Sequence, residues 1–237
     1  MSLNTSCEPQ KSGLLLIDKP ADFSSHDIIA VVRRILKTKK IGHSGTLDPM
    51  ATGLLILLVG REATRLQERF LKMDKTYQAT LKLGEETASW DAYSEIIQTA
   101  PVSLITQEKL QEAVRKLSGC VRQPIPFYSA KRIKGQRMYE LAREGKEMER
   151  KYNEVTVTWK NVQLISSDEI SFCLHGSCGT YVRSMGFLLA RQLNTVGHLT
   201  QLRRLSIGGY KVENAFDGNR LKTCATDELY TWVKPVL

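Results

Sequence analysis

The chain has 237 residues, 42% of them hydrophobic and 25% charged, with a net charge of +9. That length supports a sizeable core in one or two domains, and the positive excess favours a polyanionic partner, nucleic acid ahead of a membrane surface. The longest apolar run, residues 54–59, is far too short for a bilayer and residues 1–11 hold no apolar signal core, so neither a spanning helix nor a secretory leader is expected and the cytoplasm is the expected compartment.

Residues 1–11 read as a disordered lead. Residues 13–18 read as a short buried strand, stopped by Lys19-Pro20. Ser24 starts a helix, with Asp27 three residues on in capping-box position and Ile28, Ile29, Val31, Val32, Ile35 and Leu36 on its apolar face. Arg33, Arg34, Lys37, Lys39 and Lys40 then form a basic cluster just before a loop over residues 42–53, which leads into a buried strand. Residues 62–72 read as a second helix. Residues 76–83 alternate, with Tyr77, Ala79, Leu81 and Leu83 on one face. Residues 84–101 read as an irregular connection. Thr106 caps a helix closed by Gly119. Residues 120–135, with Pro124 and Pro126, read as a long basic loop, followed by a short helix at 138–143. Strands are expected near 155–159, 170–174 and within 199–212. A helix is expected over 180–193, and a short one near 227–233 in the tail. This irregular alternation suits a mixed-sheet α/β or α+β domain better than a doubly wound one.

Five scattered cysteines without a signal peptide point to free thiols in a reducing compartment. Cys173, His175 and Cys178 offer three soft ligands, but a structural zinc site takes four and no convincing fourth is nearby, so no metal is expected.

The most informative stretch is Gly42-His43-Ser44-Gly45-Thr46-Leu47-Asp48-Pro49-Met50-Ala51-Thr52-Gly53. Three glycines and a proline surround one acid. Glycine admits backbone angles closed to other residues, and Pro49 restricts the residue before it. On the residues alone, Asp48 is either the cap of its own Asp-Pro turn or a reactive carboxylate on a constrained mount.

Four further segments stand in order with this loop: Leu16-Ile17-Asp18-Lys19-Pro20, Asp74-Lys75-Thr76-Tyr77, Gly179-Thr180-Tyr181-Val182-Arg183 and Leu202-Arg203-Arg204-Leu205. Together they resemble the TruB family of tRNA pseudouridine synthases, collinearly over residues 13–212. The resemblance implies a single α+β catalytic domain over residues 12–237, with a mixed, largely antiparallel central sheet and flanking helices. It implies an isomerase that converts uridine 55 in the T arm of tRNA to pseudouridine, with no metal or organic cofactor, no obligatory protein partner and no membrane, acting as a monomer. Asp48 matches the family's catalytic aspartate. Arg183 matches the cation expected to keep that aspartate ionised, and Tyr77 the platform on which the flipped uracil stacks. Tyr181 and Leu202 match residues lining the base and ribose, and His43 one near the flipped nucleotide. On spacing alone Tyr77, Tyr181 and Leu202 are equally core residues, and an Arg early in a helix is most often solvated.

Two departures accompany the resemblance. After the Tyr77 strand the family carries a Thr-Asp-Thr run, a second Asp and a Gly. Here the segment reads Thr87-Ala88-Ser89-Trp90-Asp91-Ala92-Tyr93-Ser94, and only Thr87 and Asp91 hold their places, so contacts through it are in doubt. Many family members also continue into a C-terminal RNA-binding domain of PUA type, which is expected to be lacking here, with a weaker grip on the acceptor arm. An RNA-binding module without catalysis, and a synthase acting on another RNA, are the competing readings.

Overall fold

A computed structural model describes residues 12–128, 132–133, 136–137 and 149–236. The disordered lead expected over residues 1–11 and the helix expected over 138–143 lie outside the described residues. In chain order the strands are β1 (Gly13–Lys19), β2 (Ile41–His43), β3 (Thr52–Val59), β4 (Lys75–Leu83), β5 (Glu85–Thr87), β6 (Ile96–Thr99), β7 (Gly119–Pro124), β8 (Arg132–Ile133), β9 (Gln136–Arg137), β10 (Tyr152–Leu164), β11 (Glu169–Gly176), β12 (Gly197–Ile207), β13 (Tyr210–Lys211) and β14 (Phe216–Asp217). The α-helices are α1 (Ser25–Ile35), α2 (Gly60–Arg65), α3 (Gln67–Leu71), α4 (Gln107–Lys116), α5 (Val182–Gln192) and α6 (Thr226–Thr231). The chain forms two compact bodies, one from residues 12–72 and 210–236, the other Met73–Gly209.

In the first body β3 pairs antiparallel with β1, Gly13 opposite Val59 and Lys19 opposite Gly53. It also pairs with β2, His43 opposite Leu57. The short β14 runs parallel to β1. Leu54 through Val59 are all buried, which explains why β3 reads as a continuous apolar run rather than an alternating one. Helix α1 begins where its capping box predicts. The Asp27 amide donates to Ser24 Oγ at 3.1 Å, and the Ser24 amide donates to the Asp27 carboxylate at 2.8 Å. The second expected helix is two short helices, α2 and α3, broken at Leu66.

In the second body β4 is central to an antiparallel sheet in the order β12-β4-β11-β10-β7. Tyr77 stands opposite Leu174 on β11 and Arg204 on β12, and Ala79 stands opposite Leu202. Tyr77, Ala79, Leu81 and Leu202 therefore face the same side. Helix α5 packs on that side so closely that a Cβ on Gly186 would meet Leu199 Cδ2 at 2.8 Å. Its Ala190 lies over Gly197, which pairs with Leu83, so the N-terminus of α5 points back toward the Tyr77 end of the sheet.

The ladders named above are antiparallel apart from the β1–β14 pair, which is the expected mixed, largely antiparallel α+β arrangement. Two expectations fail. Residues 84–101 are not wholly irregular: β5 and β6 form a two-stranded ladder with a register shift between Glu86 and Thr87. Residues 119–124, read from residue 120 on as loop because of Pro124, form an edge strand. A proline is tolerated at such an edge because its missing donor breaks no inner ladder.

The hydrogen bonds from Ser24 hold the Asp27 carboxyl below the usual range. A depressed folded pKa gives stability that is present above the unfolded pKa and lost as pH falls through the folded one. Ser24→Ala is expected to cost about 1 kcal/mol in urea unfolding at pH 7. Asp27→Asn is expected to cost less, and its deficit against the parent protein should vanish in the acid range below the folded carboxyl pKa.

Candidate active site

In the first body the loop carrying Asp48 is fastened on both sides of that residue. Before it, Ser25 at the head of α1 makes two bonds to Leu47: its hydroxyl accepts from the Leu47 amide at 2.8 Å and donates to the Leu47 carbonyl at 3.1 Å. After it, the Pro49 carbonyl accepts from the Asp22 amide at 3.0 Å and from Lys19 Nζ at 3.2 Å. The same ammonium donates to the carbonyls of Pro20 at 2.8 Å and Phe23 at 2.6 Å. Lys19 is 0% exposed, and these three carbonyls match the three donors of an ammonium group. Asp48 itself is half-buried, and its carbonyl accepts from the Ala51 amide at 3.0 Å. Gly45 (φ 121°) and Gly53 (φ 98°) take the left-handed backbone conformations that let the loop turn within so few residues.

His43 precedes this loop. Its Nδ1 accepts from the Gly45 amide at 3.2 Å, which assigns the ring proton to Nε2 in the neutral form. Its carbonyl accepts from Gln67 Nε2 at 3.0 Å, and His26 meets its ring edge-on at 5.9 Å. The basic residues Arg33, Arg34, Lys37, Lys39 and Lys40 that lead into the loop are all exposed.

In the second body Tyr77 and Leu202 stand on β4 and β12, and Tyr181 and Arg183 at the N-terminus of α5. Tyr77 and Leu202 are each 7% exposed and share a face. Two buried cations, Lys75 and Arg204, lie on the same face as Tyr77. Burial, with the neighbouring charge of Arg204, pushes the Lys75 ammonium below its ordinary pKa. Tyr181 is the N-cap residue of α5 and makes no side-chain cap bond there. Instead its amide donates to Gln123 Oε1 at 3.1 Å, and Gln123 Nε2 donates to the Gly179 carbonyl at 2.7 Å. Gln123, on β7, is thus the fixture of this corner, and the loop reading of its segment hid it.

Arg183 does not behave as a solvated helix residue. It is the second residue of α5 and 4% exposed. Its guanidinium donates to the Ser89 carbonyl at 2.8 Å and the Tyr128 carbonyl at 2.9 Å, and lies 3.4 Å from the Asp91 carboxylate. The segment that departs from the family pattern therefore still serves it. Ser89 Oγ and the Tyr93 amide hold Asp91 Oδ1 at 2.6 and 3.0 Å, and Thr87 Oγ1 donates to the Asp91 carbonyl at 2.7 Å. Lys19, Ser25, Gln123 and Asp91 carry these arrangements and were assigned no role from sequence. The signal for Lys19 was a charged residue ending a buried strand, and for Asp91 its retained place in a diverged segment.

The Cys173–Cys178 segment makes a different set of contacts. His175 Nδ1 lies 3.1 Å from Thr76 Oγ1 and its Nε2 lies 3.4 Å from Asp74, while burial pushes the Cys173 thiol up. Among the described residues no group of three His, Cys, Asp or Glu side chains is placed to hold a metal.

Residues 33–182 match the model of the TruB family pseudouridylate synthase, N-terminal domain. The chain is 41% identical over 211 residues to tRNA pseudouridine synthase B of Thermobifida fusca, covering 86% of this chain and 72% of the relative. It is 37% identical over 231 residues to tRNA pseudouridine synthase B of Opitutus terrae, covering 97% and 95% respectively. Among solved structures, a chain from a Cbf5–Nop10–Gar1 complex has the same fold at TM-score 0.69 and 24% identity. The match takes in 93% of this chain and 55% of that one.

Removing one member of a buried ion pair strands the other, whereas an exposed pair contributes little. Asp91→Ala is expected to lower unfolding free energy by about 3 kcal/mol. Glu112→Ala, which breaks the Lys116–Glu112 pair whose side chains are both 57% exposed, is expected to change it by less than about 0.5 kcal/mol. Urea titration of the two variants checks the contrast.

Proposed function

The chain belongs to the TruB family of pseudouridine synthases, and from that premise we propose that it converts uridine 55 in the T arm of tRNA to pseudouridine, with Asp48 as the catalytic carboxylate. The observation that carries this reading is the mount of Asp48. A carboxylate used only to cap its own turn needs no outside support. Here the residues on both sides are bonded to other elements, Leu47 through Ser25 and Pro49 through Lys19 and Asp22. Fixing a reactive group before substrate arrives removes the cost of ordering it in the transition state.

The reaction breaks the C1′–N1 bond, turns the uracil, joins C5 to C1′ and releases the C5 proton, so no atom is gained or lost overall apart from proton exchange. Three routes use a carboxylate: attack on C1′, attack on C6 of the uracil, or proton removal from C2′ to give a glycal. All three require Asp48 ionised. Arg183 is proposed as the counter-charge that keeps it so, since a carboxylate out of water stays charged only beside a cation. Tyr77 is proposed as the stacking platform for the extruded uracil, with Tyr181 and Leu202 lining base and ribose and His43 beside the flipped nucleotide. Stacking on aromatic rings is how unpaired RNA bases are usually held, and it repays the few kcal/mol lost on unstacking. The exposed cluster from Arg33 to Lys40 is proposed to grip phosphates. The enzyme is proposed to act in the cytoplasm as a monomer, on tRNA, without an obligatory protein partner.

The test is a T-arm stem-loop carrying 5-tritiated uridine. The wild type should release tritium, and Asp48→Asn should release none while binding the stem-loop with Kd within about 3-fold of wild type, because phosphate contacts dominate affinity. Normal turnover by Asp48→Asn would remove Asp48 from the mechanism. Tight binding by a wild type that releases no tritium would favour an RNA-binding module. Release only from another RNA would keep the chemistry and change the substrate.

A further inference from the structure

Trp90 sits between two of the residues that hold Arg183. Ser89 contributes its carbonyl and Asp91 its carboxylate. Trp90 itself has φ 60°, a left-handed conformation that a bulky side chain adopts only when its surroundings enforce it. Those surroundings are specific. The indole stacks on Phe187 of α5, with centroids 4.3 Å apart and planes 19° from parallel. Its Nε1 donates to Glu86 Oε1 at 2.9 Å, and the other oxygen of Glu86 is paired with Arg191 at 2.7 Å. The Arg150 guanidinium lies 4.7 Å from the indole centroid and 4.8 Å from that of Phe127. The backbone is tied as well: the Trp90 amide donates to the Thr87 carbonyl at 3.1 Å, and the Trp90 carbonyl accepts from the Leu199 amide at 3.1 Å.

We propose that Trp90 is a positioning residue for Arg183: its ring, stacked on Phe187 with Arg150 packed against both rings, holds the left-handed turn that aims Ser89 O and the Asp91 carboxylate at one guanidinium. A residue in left-handed backbone turns the chain sharply, so its two neighbours present acceptors to the same side. Without the clamp, the turn relaxes toward ordinary angles and the two acceptors separate. Arg150 extends the device. Its half-buried guanidinium rests against aromatic rings, where cation–π attraction holds it. Tyr128, whose carbonyl also accepts from Arg183, follows Phe127 directly. Arg183 and its clamp thus gather chain from four separate stretches of the second body.

The proposal rests on the isomerase reading for its catalytic consequence but not for its structural one, and the experiment separates them. Arginine side-chain NH resonances are recorded on labelled protein, with Arg183 assigned by its loss in Arg183→Lys. A buried guanidinium held by hydrogen bonds gives a sharp, exchange-protected signal. Trp90→Ala should shift or broaden it, and Trp90→Phe, which keeps the stacking, should restore it. In the turnover assay Trp90→Ala should lower kcat about 30-fold with KM within about 2-fold of wild type, and Trp90→Phe should recover kcat to within about 3-fold, the pattern of a misplaced group rather than lost binding. A folded Trp90→Ala protein with an unchanged Arg183 signal overturns the proposal, whatever its activity. If Trp90→Ala does not fold, Arg150→Met takes its place, and an unchanged Arg183 signal there overturns it equally. A wild type that forms no pseudouridine leaves the resonance test standing and refutes only the function.

Discussion

In the second body the buried guanidinium of Arg183 draws separate stretches of chain together. Taking Arg183 out of water costs several kcal/mol unless its donors are met with good geometry. Meeting them recruits the carbonyls of Ser89 and Tyr128 and the carboxylate of Asp91. Two of those acceptors come from one turn before β6, and the third from the segment after β7, far from them in sequence. The turn at Trp90 presents two of these acceptors to that cation.

The first body solves a parallel problem with a different cation. Lys19 is held by carbonyls from Pro20, Phe23 and Pro49, so a point charge with three donors closes the loop onto the end of β1. An arginine would not substitute, because its planar fork prefers paired acceptors in one plane, whereas these carbonyls surround a small ammonium. Each body therefore uses the cation whose shape fits the acceptors. In each, the stabilised piece of chain carries residues that match the family's functional ones: Asp48 beside Pro49, and Arg183 itself.

What could be read from the sequence follows from how local the cause is. The capping box at Ser24 and Asp27, the alternation of β4 and the apolar run of β3 are each determined by neighbours a few residues away, and all appear as expected. The Gly42–Gly53 loop was legible because its glycines and proline dictate backbone angles. Gln123 was not, because a buried glutamine in a proline-rich stretch gains its meaning only from Gly179 and Tyr181, more than fifty residues on. The β5–β6 ladder was missed because all four residues of β6 are exposed and give no alternation. The burial of Arg183 was open for the same reason as Gln123: its acceptors lie 55 and 94 residues away in sequence.

The segment over residues 87–94 supports Arg183 although it departs from the family pattern. The demand placed on it is geometric: a carbonyl and a carboxylate must converge on Arg183. Asp91 is needed by identity, since only an acid supplies the charge. Ser89 is needed on the first count by its backbone, which any residue provides. Its hydroxyl, with the Tyr93 amide, then fixes the carboxylate. The position between them is free in identity provided that something holds the turn. In this chain that something is an indole with three independent restraints: a stacked ring, a hydrogen-bonded Nε1 and a guanidinium against it. A bulky residue in left-handed backbone is costly in isolation and tolerable when over-determined. The charge of Arg183 is thus held by a turn whose own side chain is anchored elsewhere, on Phe187 and Glu86.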